Sequence, residues 1–196
     1  MHWIVNLLAA AAVLWPIVRF VRDKTHNSRL RRHFLRQVRK HGWSYVYVPA
    51  APTVFSHSMG VSITLEAPEI FLSGADPDAS ANLIYTAYEQ MKSGELVLQD
   101  KAEWNPGWGP EDGEPLPRVA WRAVHPTQIA RYFDLAIWCR TKMEKDGMAM
   151  DAFQLVFGDS EGILPWEEGF DWNYQPRQAL LWLPHRERPI AAFDRP

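Results

Sequence analysis

The chain has 196 residues, a length typical of one domain with a short extension, and 47% of them are hydrophobic, which is ample for a core. The single cysteine, Cys139, excludes an internal disulfide and a cysteine-rich zinc site. The formal charge of −2 conceals an asymmetry, because residues 1–50 sum to +8 and residues 51–196 sum to −10. A basic arm on an acidic body indicates an anionic partner for the arm, either membrane phospholipid or nucleic acid.

Residues 1–24 contain a run from Trp3 to Val21 that has few polar groups. Its length is close to what is needed to cross hydrocarbon, and Trp3 and Trp15 suit the two interfaces, so we expect a transmembrane or membrane-associated helix. The basic residues at its end and beyond place its amino terminus outside the inner membrane and the body in the cytoplasm. The alternatives are a packed helix of a soluble cytoplasmic protein and a cleaved signal peptide. The signal peptide fits less well because no Lys or Arg precedes the run.

Residues 25–40 are predicted to form a basic amphipathic helix that begins at Asn27 or Ser28 and ends near Lys40. Its apolar positions form one narrow stripe, made by Leu30, Phe34, Leu35 and Val38. We expect the stripe to contact protein and the arginines to face anionic lipid, namely Arg29, Arg32, Arg36 and Arg39. An ordinary helix with a solvated basic face is the alternative. Nucleic acid is a poorer partner because no stacking aromatics are interleaved with these arginines.

The body, residues 41–196, alternates short apolar runs with two helical patterns, which predicts a single α+β domain. We expect a mainly antiparallel sheet of about five or six strands and two main packed helices. The predicted strands are residues 43–48, 55–65, 69–72, 96–99, 119–124 and 152–157. The predicted helices begin at Asp78 or Ser80 and at His125, and residues 101–117 are predicted to be a long irregular loop in which the tryptophans pack.

The predicted core combines residues from both helices and most strands. It comprises Trp43, Phe55, Met59, Val61, Ile63, Leu83, Tyr88, Tyr132, Phe133, Leu155, Phe157 and Trp166. Strand alternation also places His57 on the core face, where a histidine is most often a hydrogen-bonding residue. Gln154 in a buried strand must satisfy its amide, either in a pocket or in a structural bond.

Recognisable catalytic motifs are absent from the sequence. It holds no glycine-rich phosphate loop, no nucleophile elbow and no histidine pair at helical metal-ligand spacing, so no metal site is predicted. The polar and aromatic residues that folding could gather into a pocket are His57, Ser58, Glu69, His125, Gln154, Asp159 and Trp166.

Several short blocks together resemble a bacterial family known as domain of unknown function 4262. They are His41-Gly42-Trp43 with Val46 and Val48, Phe55 to Val61, Pro68-Glu69-Ile70 with Gly74, Val124-His125-Pro126 with Tyr132-Phe133, Gln154 with Asp159 and Gly162, Pro165-Trp166, Gly169-Phe170, and Gln178 with Leu180-Leu181. The match covers about residues 41–182 and leaves the amino-terminal segment outside. At the position of His57 the family commonly has a tyrosine. The resemblance implies a fold and domain limits and no reaction.

Two functions remain open at this point. The first is a binding or protein-interaction module held at the inner face of the membrane, with a protein or small-molecule ligand. The second is a small-molecule enzyme, such as a hydrolase, whose pocket gathers the histidine, aspartate and glutamine side chains. Convergence of His57, His125 and Asp159 in one concave pocket would favour the enzyme, and their separation would favour the module.

Overall fold

The computed structural model describes residues 28–49, 54–107, 118–143, 145–146, 149–173 and 178–185. The chain divides into two compact units, Met1–Lys40 and His41–Pro196. One helix, α1, spans 28–41 and contains every described residue of the first unit. Among the described residues, no helix combines the length and apolar character needed to cross a membrane. The predicted anchor at residues 3–21 lies outside the described residues.

The second unit is built on a five-stranded sheet with the order β1-β2-β3-β5-β4. The strands are β1 (Ser44–Val48), β2 (Phe55–Met59), β3 (Glu69–Ser73), β4 (Val119–Ala123) and β5 (Ala152–Phe157). Neighbouring strands are antiparallel except for β3 and β5, which pair in parallel. The predicted α+β class is confirmed, and the sheet is mixed.

Four helices connect these strands within the described part of the second unit. They are α2 (Val61–Thr64), α3 (Pro77–Ser93), α4 (Pro126–Tyr132) and α5 (Asp134–Lys142). Asp76 begins α3 by accepting hydrogen bonds from the N–H groups of Asp78 and Ala79, and Gly94 ends it in the left-handed conformation. The predicted end at Gly94 is confirmed, whereas the predicted start at Asp78 or Ser80 is wrong, because the cap is Asp76.

The larger core lies between α3 and one face of the sheet. It contains Ile70, Leu72, Leu83, Ile84, Ala87, Trp104, Val119, Trp121, Leu155 and Phe157. Trp104, which belongs to the predicted irregular loop, packs at 5.2 Å between ring centres on Trp121 and donates its indole N–H to Gln90. The expectation that this tryptophan packs is therefore confirmed, while residues 108–117 lie outside the described residues.

The opposite face of the sheet is covered by an aromatic cluster from α4 and α5. The ring of Phe133 lies 5.2 Å from that of His57, and Tyr132 contacts Phe55 and Phe71 edge to face. Edge-to-face contacts are the arrangement that aromatic quadrupoles prefer. Both faces of β2 and β3 are thus covered, which explains why Ser56 and Ser58 are as buried as the apolar residues beside them.

Three predicted elements are wrong. The strand predicted over 55–65 ends at Met59, because Gly60 adopts φ +106° and the chain turns into α2. Residues 96–99 do not form a strand, since Leu96 N–H instead bonds to Gln90 at the end of α3. The helix predicted from His125 is two helices, which meet at Phe133.

The predicted core is correct for most of its members but not for all. Trp43, Phe55, Ile63, Tyr132 and Trp166 are only partly buried. Trp43 stacks on Tyr88 at 5.2 Å, and Phe55 stacks on Phe71 at 5.4 Å, so both lie at the margin of the packed region.

Candidate functional site

Glu69, at the start of β3, is fully buried and accepts four hydrogen bonds. Its Oε1 receives the N–H groups of Gly60 (2.9 Å) and Ser62 (3.0 Å) and the Ser62 hydroxyl (2.7 Å). Its Oε2 receives the hydroxyl of Ser58 at 2.5 Å. Ser58 in turn accepts the N–H of Ile70 at 2.8 Å. The carboxylate therefore holds the turn between β2 and α2, and two of the predicted site residues, Ser58 and Glu69, are in direct contact.

His57 is buried on β2, at 1% exposure, and its Nδ1 lies 2.7 Å from the carbonyl oxygen of Ser58. Burial lowers the pKa of His57 below its ordinary value of 6.5, because desolvation disfavours the imidazolium. The ring packs against Phe133. A neutral, enclosed imidazole in an aromatic cluster serves as a packing and hydrogen-bonding group.

Gln154 and Gln178 join the carboxyl-terminal segment to β5. The buried amide of Gln154 donates to Ala179 O at 2.5 Å and accepts from Leu181 N–H at 3.0 Å. Gln178 exchanges two 2.7 Å bonds with the backbone of Phe157. Both side chains thus imitate a strand partner, and they hold the segment 178–181 against β5.

Asp159 organises the turn that follows β5. Its Oδ1 accepts from Glu161 and Ile163 N–H, and its Oδ2 accepts from Asp171 N–H at 2.9 Å. These backbone donors, that of Asp171 first, lower the pKa of Asp159 below its ordinary value of 3.8. The carboxylate binds its own loop, which brings residues 159–163 and 171 together.

His125 begins helix α4. Its Nδ1 accepts from Thr127 N–H at 3.3 Å and lies 2.9 Å from the Thr127 hydroxyl oxygen. Its backbone N–H bonds to Leu181 O at 2.8 Å, on the segment that Gln154 also holds. His125 and Gln154 therefore meet the same tail segment, whereas His57 and Asp159 belong to separate networks.

An ion-pair bridge that the sequence did not indicate is centred on Arg118. Its guanidinium bonds to Glu167 at 2.7 Å and to Glu103, and these two carboxylates raise its pKa. The pKa of Glu167 is lowered by the N–H of Leu164 and by Arg118. The partners are 15 and 49 residues away along the chain, a separation at which no sequence pattern connects them.

A tryptophan groove lies on the surface of the second unit, with a volume of about 580 Å³. It is lined by Pro165, Trp166, Glu167, Glu168, Gly169, Phe170, Trp172, Leu180, Trp182 and Leu183. Of the predicted site residues only Trp166 lines it. Trp182 was not singled out from the sequence, although the density of tryptophan between residues 166 and 182 was a signal that could have indicated it.

Trp166 and Trp182 meet at right angles, with ring centres 5.8 Å apart. The guanidinium carbon of Arg122 lies 4.8 Å from the ring centre of Trp166 and 4.9 Å from that of Trp182. Arg122 also bonds to Asp100 at 3.0 Å. This cation–π contact, together with the bonds of Gln154 to the tail, positions one wall of the groove on β4 and β5.

In the first unit, four arginines and one leucine of α1 line a shallow concavity of about 450 Å³. They are Arg29, Arg32, Leu35, Arg36 and Arg39, the same arginines that the sequence predicts to face lipid. Within the residues that the structure describes, no group of three His, Cys, Asp or Glu side chains is arranged to hold a metal ion.

Comparison with known proteins gives one match. No curated protein and no solved structure is similar to the chain. The model of the family described as Domain of unknown function (DUF4262) matches residues 37–171, which include β1 to β5, the Glu69 turn and the Asp159 turn. The chain therefore belongs to the DUF4262 family.

Proposed function

We propose that the second unit is a binding module whose recognition surface is the tryptophan groove. One observation carries this proposal: the polar side chains that a hydrolase would need are engaged by the protein's own chain. Glu69 accepts four internal bonds, Asp159 accepts three backbone N–H groups, and both ends of the Gln154 amide bind the tail.

The groove has the features of a recognition site. Its volume lies within the range of about 300–1,000 Å³ that is common for small-molecule pockets. Its tryptophans are half-buried, so they retain apolar surface that a ligand can cover. Tryptophan is also among the residues that most often dominate binding energy, because it presents a large rigid surface at low entropic cost.

A fragment screen on the full-length protein tests the module. Fragments of cationic, anionic, neutral sugar and apolar type are added while the indole N–H signals are followed by NMR, with assignments from Trp166→Phe, Trp172→Phe and Trp182→Phe. We expect hits to shift the Trp172 and Trp182 signals and to leave Trp43, which packs on Tyr88, unchanged. Hits that shift Trp43 alone, or turnover of a fragment that survives Trp172→Phe, would contradict the proposal.

We further propose that the arginine face of α1 contacts anionic phospholipid and that residues 3–21 anchor the chain, with the body on the cytoplasmic side. Arg29, Arg32, Arg36 and Arg39 are exposed and recur at helical spacing on one concave face. Each such arginine close to an anionic surface contributes about 1 kcal/mol at most.

Vesicle sedimentation tests the arginine face without the anchor. A fragment of residues 25–196 should bind phosphatidylglycerol vesicles, and changing the four arginines to Gln should weaken binding by up to about a thousandfold. The matched control changes four other exposed cations, Lys92, Lys101, Arg131 and Lys142. Equal losses in both variants would show that only net charge matters. For the anchor, a carbonate wash should leave full-length protein in the membrane pellet.

A further inference from the structure

We infer that the tryptophan groove binds an organic cation with a methylated ammonium group, of the kind carried by choline. The inference rests on the proposed binding role of the groove and adds the chemical class of its ligand. The same group occurs in a free solute and in a phosphocholine head group, so the ligand chemistry has two sources.

Two right-angled aromatic pairs form the walls of the groove. Trp166 and Trp182 cross at 90°, and Phe170 and Trp172 cross at 78° with ring centres 5.0 Å apart. Crossed rings present faces in more than one direction, which suits a rounded ligand rather than a flat one. The negative face of an aromatic ring attracts a cation within about 6 Å, and methylated ammonium groups are the ligands that aromatic cages recognise most characteristically.

The rings of the groove already contact a cation within the protein. Arg122 lies within 5 Å of the centres of Trp166 and Trp182. It is not among the residues that line the groove. Its charge is countered by Asp100 at 3.0 Å, which reduces the repulsion that a second cation would meet.

The charges of the lining select a cation over an anion. The residues that the structure places in the lining include Glu167 and Glu168 and no lysine or arginine. Glu167 is paired with Arg118 at 2.7 Å, while Glu168 is exposed at the rim. The same lining holds no amide or hydroxyl side chain, and a neutral sugar, whose hydroxyl groups need such partners, is therefore a poorer fit.

Titration of the full chain, in a nonionic detergent and followed by tryptophan fluorescence, tests the charge requirement. The probes are choline chloride and 3,3-dimethylbutan-1-ol, a neutral molecule of the same shape. We expect choline to bind about twofold to fivefold more tightly, since an exposed cation–π contact contributes about that factor. Equal affinities, or no binding of choline, would overturn the inference. Equal binding of both probes would mean that the groove binds apolar ligands. In that case the proposed binding role would stand and only the cationic class of the ligand would be wrong.

Two variants and one control locate the binding. Trp172→Ala should weaken choline binding about tenfold, and Glu168→Gln about twofold to fivefold with a smaller dependence on salt. Glu95→Gln, an exposed glutamate outside the lining, should have no effect. An unchanged affinity in Trp172→Ala, with the fold intact by circular dichroism, would refute the site.

Glycerophosphocholine distinguishes the two sources of the cation. Its phosphate would lie near the acidic residues of the lining. If the natural ligand is a free methylated cation, choline should therefore bind more tightly than glycerophosphocholine. Tighter binding of glycerophosphocholine would support a lipid head group instead, and both orders are consistent with the cation.

Discussion

Replacing Glu69 tests whether the most deeply buried polar network is a structural device. In Glu69→Ala the N–H groups of Gly60 and Ser62 lose their acceptor inside the protein, as do the hydroxyls of Ser58 and Ser62. A buried donor left without a partner costs about 1–3 kcal/mol, and the serine hydroxyls can rotate while the backbone donors cannot. Two backbone donors without an acceptor therefore cost about 2–6 kcal/mol together, and the removed cost of burying the charge brings the expected loss of stability to about 2–4 kcal/mol.

Glu69→Gln should cost less, about 1–2 kcal/mol, because its amide oxygen can keep the three bonds made to Oε1 and only the bond from Ser58 is lost. Urea unfolding followed by tryptophan fluorescence measures both variants, with the exposed Glu95→Gln as the control. The decisive result is that the loss of stability is largest in Glu69→Ala, smaller in Glu69→Gln and smallest in the control. A Glu69→Ala midpoint within error of the control, at an unchanged slope, would mean that the turn is held by something else.

Three further predictions concern pH and backbone space. Burial lowers the pKa of His57 from 6.5, so below about pH 6.5 the unfolded state binds a proton that the folded state does not, and stability falls as the pH drops. In urea titrations, His57→Phe should remove up to about 1.4 kcal/mol per pH unit of this dependence. The pKa of Asp159 is lowered, so its contribution to stability is present above pH 3.8 and is lost as the pH falls through the pKa of the folded state. Asp159→Asn should have a lower urea midpoint at neutral pH and should lose less stability on acidification than the unchanged protein. In Gly158→Ala the new Cβ would lie 2.9 Å from the backbone of Gly162, which should lower stability by about 1–3 kcal/mol, while an unchanged melting temperature would show that the turn yields freely.

Local signals explain which parts of the fold could be predicted. The end of α3 at Gly94 and the mainly apolar strand β5, in which Gln154 is the one polar residue, were evident from sequence. The start of α3 was not, because Asp76 caps the helix and not Asp78 or Ser80. The error at residues 60–64 has a long-range cause. Val61 and Ile63 continue the alternation of β2, but the carboxylate of Glu69 binds Gly60 and Ser62 N–H and turns the chain into α2. A buried glutamate seven to nine residues away overrides the period of the pattern.

The candidate site was predictable in its members more than in their roles. Ser58, Glu69, Gln154 and Asp159 were predicted as polar residues that folding could gather into a pocket, and each is hydrogen-bonded within the protein. Whether the partner is a ligand or the protein's own backbone depends on where the tail lies. The bond from Gln154 to Ala179 joins residues that are 25 apart in the chain, and no periodicity indicates such a contact.

The segment 178–183 connects the hydrogen bonds of Gln154 to the tryptophan groove, because its residues contact both. Gln178 and Leu181 are buried toward the sheet, whereas Leu180, Trp182 and Leu183 line the groove. Gln154 holds this segment from beneath through its two bonds at residues 179 and 181. Gln154→Ala should therefore lower stability by about 1–3 kcal/mol and also weaken choline binding, although Gln154 is not part of the lining. The exposed Gln99→Ala serves as the control, and a loss of stability with unchanged affinity would show that the groove keeps its shape without this bond.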